Sequence, residues 1–194
     1  AIFAEYADSG AWEAIHLGQL LGVLTALAGL LVIYLVLSSR GEVAVLGRFA
    51  AAATLVTAAT MVVLQAVDGV ALKQAANAWV ASSGAQEPLR FADAETIRWL
   101  EWGVQSYFRV MLGASLALFG AAILLARLIS GWVGGLAIGA GLLSVANGID
   151  VGYQGLESGF QDIAIGASQI AILAFATGVL VAGVRDRDAV TGVT

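Results

Sequence analysis

The chain has 194 residues, 60% of them apolar and 12% charged, with a formal net charge of −5, one histidine and no cysteine. Soluble domains run nearer ~45–50% apolar and ~25% charged, so a water-soluble globular fold is excluded in favour of one bathed in hydrocarbon. The acidic balance leaves no basic stripe for nucleic acid, and the missing cysteines rule out disulfides, thiolate metal sites and a cysteine nucleophile.

His16 is the only histidine, so a bis-histidine haem or a multi-histidine zinc site cannot be built within one chain, and neither a metal nor another cofactor is expected. The chain begins at Ala1; removal of an initiator methionine, or loss of a leader or an earlier helix, would each give that start. The opening residues carry Glu5, Asp8 and Glu13 and no basic residue, unlike the start of a signal peptide.

Five long apolar stretches follow, near residues 17–38, 46–67, 108–128, 131–149 and 162–184. Each approaches the ~20 residues with which a helix crosses ~30 Å of hydrocarbon. A backbone in lipid must satisfy its own hydrogen bonds, so each should be helical. The expected fold class is all-α, a polytopic membrane helix bundle forming a single domain over 1–194.

Between the second and third stretches, residues 68–107 are too polar to span. Asp68 to Ala81 should continue the second helix, and Ser82 to Pro88 reads as a turn. Asp93 fits an N-cap with Glu95 in the first turn, so a helix from Ala94 should run into the third stretch. Together these predict a helical cap over the outer mouth of the bundle.

The first stretch contains Leu21-Gly22-x-x-x-Ala26-Leu27-x-Gly29 and the third Leu112-Gly113-x-x-x-Ala117-Leu118-x-Gly120. The second and fourth end alike, in Ala66-Val67-Asp68-Gly69 and Ala146-Asn147-Gly148-Ile149-Asp150. A duplicated helical hairpin is the expectation, with Gly166-Ala167-Ser168 in the fifth stretch as half of a third copy. Small residues let helices approach in lipid, so Gly18, Gly22 and Gly29, then Gly113 and Gly120, then Gly131, Gly135 and Gly139 are the candidate packing stripes. They serve the bundle itself, a homo-oligomer interface or a groove for a flat ligand.

Arg40, Arg48, Arg127, Arg185 and Arg187 fall on one side, which the positive-inside rule makes cytoplasmic. Glu5, Glu13, Asp68, Glu87, Asp93, Glu101, Asp150 and Glu157 crowd the other. The expected topology is N-terminus out and C-terminus in, in a bacterial inner membrane. Trp12, Trp79, Trp99, Trp102, Tyr107 and Tyr153 suit the outer interface, Tyr34 and Trp132 the inner.

Glu101, Gln105 and Arg109 step by four and share a helix face. Arg109 stands where the third stretch turns apolar, so it should pair or snorkel, with Glu101, Asp68, Asp150 and Asp162 as partners. With His16, Lys73 and Asn147 these residues form a candidate polar ligand-binding cluster at the outer helix ends; capping and tying those ends is the plainer role. His16 would need a carboxylate such as Glu13 to act as a pH sensor, and Gln65 and Gln169 fit interhelical hydrogen bonds. No catalytic residue emerges: Ser144 and Ser168 lack a histidine base at their depth, and Gly152, Gly155 and Gly159 only loosen the outer loop.

Ala66-Val67-Asp68-Gly69-Val70-Ala71-Leu72-Lys73 and Ile97-Arg98-Trp99-Leu100-Glu101-Trp102-Gly103 carry a resemblance to small, uncharacterised multi-helix membrane proteins of actinobacterial type. It covers the second and third stretches with their cap, and it implies no activity. Three functions fit the residues: a non-catalytic protein acting through lipid or protein contacts, in a larger complex or a homo-oligomer; a small transporter or channel with an acidic outer mouth; and a lipid-active enzyme using the outer carboxylates and Arg109.

Overall fold

Helices in lipid gain little from apolar contact alone, so a tight pair needs backbones that can touch. The pair formed by α5 (Glu87–Ala126) and α6 (Gly131–Gln154) meets that need. Ser106, Gly113 and Gly120 on α5 face Gly148, Gly141 and Gly134 on α6, in antiparallel register. A Cβ on Gly120 would lie 2.6 Å from the Gly134 carbonyl oxygen, and one on Gly148 would lie 2.8 Å from that of Ser106. Both lines step by seven residues, the spacing that stays on one seam of a helix pair.

That register revises the expected glycine stripes. Gly113 and Gly120 lie in the seam, but α6 answers with Gly134, Gly141 and Gly148, and Gly135 and Gly139 face open space. Among the described residues, a Cβ on Gly18, Gly22 or Gly29 would likewise meet no neighbouring helix within 4 Å. A step of four drifts off the seam over several turns, whereas a step of seven holds it. The glycines matched between the first and third stretches therefore have different surroundings.

The computed structural model describes residues 2–156 and 158–191, with residues 186–191 described by backbone alone; Glu157 and the Arg187 side chain lie outside the described residues. The other elements are α1 (Ile2–Asp8), α2 (Trp12–Ser38), α3 (Ala44–Gln65), α4 (Lys73–Val80) and α7 (Gly159–Thr191). A π-helical segment, Ala66–Leu72, joins α3 to α4, so Ala44–Val80 is one continuous rod and the described chain makes six helical rods. A 3-10 turn, Gly84–Gln86, leads into α5.

Five of these rods are long and apolar enough to cross a membrane: Trp12–Ser38, Ala44–Val80, Gly84–Ala126, Gly131–Gln154 and Gly159–Arg185. The second and third have 37 and 43 residues, well beyond the ~20 that ~30 Å of hydrocarbon requires. Each rod contains one of the apolar stretches read from the sequence, 46–67 in the second and most of 108–128 in the third.

α5 begins at Glu87 with Pro88 in its first turn, not at an Asp93 cap. Proline suits a first helical turn because its missing N–H has no partner there anyway, so the apparent turn signal belongs to the helix start. Asp93 sits inside α5 and pairs with Arg90 at 3.2 Å on an exposed face. At its other end α5 closes with Arg127 in left-handed conformation (φ 49°), while Leu128 N–H donates to Ile123 at 3.3 Å and Arg127 N–H to Leu124 at 3.2 Å, a Schellman-type stop.

Leu27, Leu30 and Leu37 of α2, Ala50 of α3, Leu116, Phe119 and Ile123 of α5, Ala137 of α6 and Phe175 of α7 form the main core. A second cluster of Phe3, Leu72, Ala76 and Ala94 lies among α1, α4 and the start of α5. Only 17% of the apolar core of α2 and 22% of that of α7 is buried inside the protein, against 44% for α6. Their outer faces carry Val32, Leu35, Ile170, Leu173 and Leu180, all well exposed.

Candidate functional site

The widened turn of a π-helix breaks the regular bonding ladder, and such turns recur at functional sites. Here the segment carries Asp68 to the start of α2. Trp12 Nε1–H donates to the Asp68 carbonyl at 3.1 Å, and His16 Nε2 lies 3.1 Å from Asp68 Oδ2. The two aromatic rings stack with centroids 4.5 Å apart. Gly69 makes room for this clasp, because a Cβ there would stand 2.8 Å from His16 Cβ.

The histidine's protons follow from its partners. Nδ1 is 2.7 Å from the Trp12 carbonyl, which can only accept, so Nδ1 carries a hydrogen. Nε2 faces a carboxylate oxygen, and a hydrogen bond along that axis requires one more proton. The carboxylate that engages His16 is Asp68, fifty-two residues along the chain, and not Glu13.

A second ion pair lies on α5. Arg98 donates to Glu101 at 3.1 Å, with both side chains largely buried, and its guanidinium lies 5.4 Å from the Tyr6 ring centroid and 5.8 Å from that of Trp102. Glu101 lies seven residues before the apolar stretch 108–128. Its carboxyl is pushed up to about 7, first by burial and then by the Asp68 carboxylate, while Arg98 acts in the opposite sense. Arg98 and Tyr6 are the members that the sequence reading missed. The three-residue step from Arg98 to Glu101 was the available signal.

Lys73 has another role from any ligand contact. Its ammonium donates to the carbonyls of Tyr6 and Ala7 at 2.8 Å and of Ser9 at 2.9 Å. All three of its donors are used in closing the C-terminal end of α1. Phe3, Trp79 and Phe91 meet edge to face, with centroids 5.5–6.2 Å apart, and complete the anchoring of α1.

The remaining expected members are not joined to this cluster by any described hydrogen bond or ion pair. Asp150 accepts from Ser158 and, at 3.4 Å, from Gln161, which also donates to the Gly155 carbonyl. These bonds tie α6 to α7. Gly155 is constrained twice, by a left-handed φ of 74° and by the Trp102 ring, whose Cζ3 would lie 2.8 Å from a Cβ. Gln105 has no described hydrogen bond. Among the described residues Arg109 forms no salt bridge: Glu101 takes Arg98, Asp68 takes His16, and a buried η-nitrogen of Arg109 stands without a partner.

A pocket of about 260 Å³ opens beside the π-helical segment, lined by Glu13, His16, Leu17, Gln65, Gly69 and Val70. Gln65 Nε2–H reaches Gln19 across to α2 at 3.5 Å. Near mid-span, Thr54 and Ser115 bond each other at 2.5 Å, and Thr57 bonds the Ala53 carbonyl at 2.8 Å. Among the described residues no group of three histidine, aspartate or glutamate side chains could hold a metal ion.

No family model, curated protein or solved structure matches this chain. The likeness to small actinobacterial membrane proteins therefore rests on the two quoted segments alone. The chain itself is a multi-helix protein with five long apolar helices, an arrangement that fits a multi-pass membrane protein.

Proposed function

We propose that this chain is a non-catalytic integral membrane protein acting through contacts with lipid or protein, as an accessory subunit of a larger membrane complex or as a homo-oligomer. One observation carries the reading: α2 and α7 leave most of their apolar surface uncovered, while mid-span hydroxyls bond to protein instead of lining a path. The His16–Asp68 contact likewise joins α2 to the π-helical segment, and Arg98 and Glu101 engage each other within α5.

The positive-inside pattern supports an N-terminus outside and a C-terminus inside, with Arg40, Arg127 and Arg185 facing the cytoplasm of a bacterial cell. In that orientation α1, α4 and the start of α5 form the outer cap. The duplicated hairpin is supported by the matched Leu-Gly-x-x-x-Ala-Leu-x-Gly segments.

The chain has no cysteine, so a single Gly22→Cys variant gives a unique crosslinking site on the bare face of α2. In native membranes a bismaleimide should join it to a second copy or to a partner. Recovery of monomer alone, carrying no bound lipid after purification, would count against the proposal.

A small transporter with an acidic outer mouth is the second reading, favoured by the buried, unpartnered nitrogen of Arg109. Cation flux into proteoliposomes that Asp68→Asn abolishes would support it, and flux indifferent to that change would remove Asp68 from the path.

A further inference from the structure

At the end of the bundle opposite the His16–Asp68 clasp, α2 and α7 stand apart and do not form a helix–helix interface of their own. Between them lies a groove of about 660 Å³, within the ~300–1,000 Å³ typical of sites for small organic ligands. Val36 of α2 and Val179 of α7 line it, together with Leu128 and Ile129 in the turn after α5. Two side chains break the apolar lining: Arg40, just past the end of α2, and Arg185, in the last part of α7 with described side chains. Among the described residues no carboxylate lines the groove.

An apolar slot between helices with exposed apolar faces, with two arginines among its lining residues, matches one kind of molecule. The slot suits a hydrocarbon chain, and arginine's planar fork suits phosphate oxygens. Two cations lining one groove favour an anionic occupant. Gly183 also lines the groove, and a Cβ there would meet no atom within 4 Å, so unfilled space remains at that position.

We propose that this groove binds one anionic phospholipid, with its phosphate between Arg40 and Arg185 and an acyl chain along Val36, Ile129 and Val179. The proposal rests on the membrane-embedded reading above and names the lipid class that reading leaves open. The headgroup carries the selectivity, and the slot carries the need for a chain, so free phosphate should not replace the lipid.

The test is native mass spectrometry of the full chain, delipidated in neutral detergent, with added phosphatidylglycerol or phosphatidylcholine of identical chains. One phosphatidylglycerol adduct is expected, with phosphatidylcholine bound much more weakly and inorganic phosphate failing to displace the adduct. Each arginine near an anionic headgroup is worth about fivefold, so R40Q/R185Q should lower phosphatidylglycerol affinity roughly 25-fold. Gly183→Leu, which keeps both charges and fills the slot, should also weaken it. Arg90→Gln, near the start of α5, should leave it unchanged.

Equal retention of the two lipids, or wild-type phosphatidylglycerol binding by both R40Q/R185Q and Gly183→Leu, would overturn the proposal. So would a dimer whose partner helix fills the groove and that no lipid displaces. A chain that still needs detergent but shows no lipid preference refutes the groove alone, whereas one that dissolves without detergent refutes the membrane reading with it.

Discussion

A Cβ placed on Gly141 would stand 2.6 Å from the carbonyl oxygen of Gly113 and 2.8 Å from the backbone nitrogen of Ala117. Both neighbours are backbone, so neither can swing aside. Gly141→Val should therefore push α6 off α5 at a cost of about 1–3 kcal/mol. Gly135→Val and Gly22→Val, which point into open space, should leave stability of the isolated chain nearly unchanged. Thermal unfolding in detergent, followed by tryptophan fluorescence, separates the cases. Equal midpoints for Gly141→Val and Gly135→Val would mean that Gly141 does not lie in the seam between α5 and α6.

Lys73 supplies the second prediction. A helix of seven residues such as α1 has no independent stability and must be held in place. The Lys73 ammonium does this by donating to three carbonyls at its end. Lys73→Met keeps much of the packing volume and removes the donors, at a cost of roughly 2–3 kcal/mol. The loss should be local: a glutamate-specific protease should cut faster after Glu5 or Glu13 while the five long helices stay folded. Unchanged cleavage would mean that the aromatic contacts of Phe3 alone retain α1.

The features legible from sequence were those that depend on bulk composition. Twenty apolar residues in a row announce a crossing helix whatever surrounds them, and all five stretches lie in helices of sufficient length. Which face each helix buries was not legible, because a stretch apolar on every side carries no periodic signal. Gly135 and Gly134 look alike in sequence; only the register with α5 puts Gly134 in the seam. The His16–Asp68 contact was hidden for a related reason. It joins residues on different rods, and a π-helical turn, which leaves no mark in sequence, sets the direction of Asp68. The start of α5 was misplaced because Pro88 reads equally as a turn residue and as a first-turn helix residue.

The hydroxyls of Thr54 and Ser115 form the one described side-chain hydrogen bond between α3 and α5, and both residues are fully buried. Such bonds in membrane bundles couple by ~0.6 kcal/mol on average, since the separated helices find other partners. Thr54 already donates to the Ala50 carbonyl at 2.9 Å, which further limits the loss. A double-mutant cycle of Thr54→Val and Ser115→Ala should thus return a coupling of about 0.6 kcal/mol and well under 2. A larger value would mark the pair as more than a helix tie and would favour a polar path through the bundle.

Glu101 sets the expected response to pH. Its ordinary value is 4.5 and in the folded protein it is raised to about 7 by burial and by the neighbouring Asp68 carboxylate. Between those values the folded chain holds a proton that the unfolded chain releases. The stabilisation from this group is therefore complete below about pH 4.5 and is lost as pH rises through about 7. The slope is ~1 kcal/mol per pH unit at its steepest. Glu101→Gln fixes a neutral side chain of the same shape that still offers Arg98 an acceptor oxygen. Melting curves recorded from pH 5 to pH 8 should fall more steeply for the native chain than for Glu101→Gln. The difference between the two isolates this carboxyl from the other ionisable groups, which are common to both proteins. Parallel curves would mean that Glu101 is already charged at pH 5, with the Arg98 guanidinium outweighing the cost of burial.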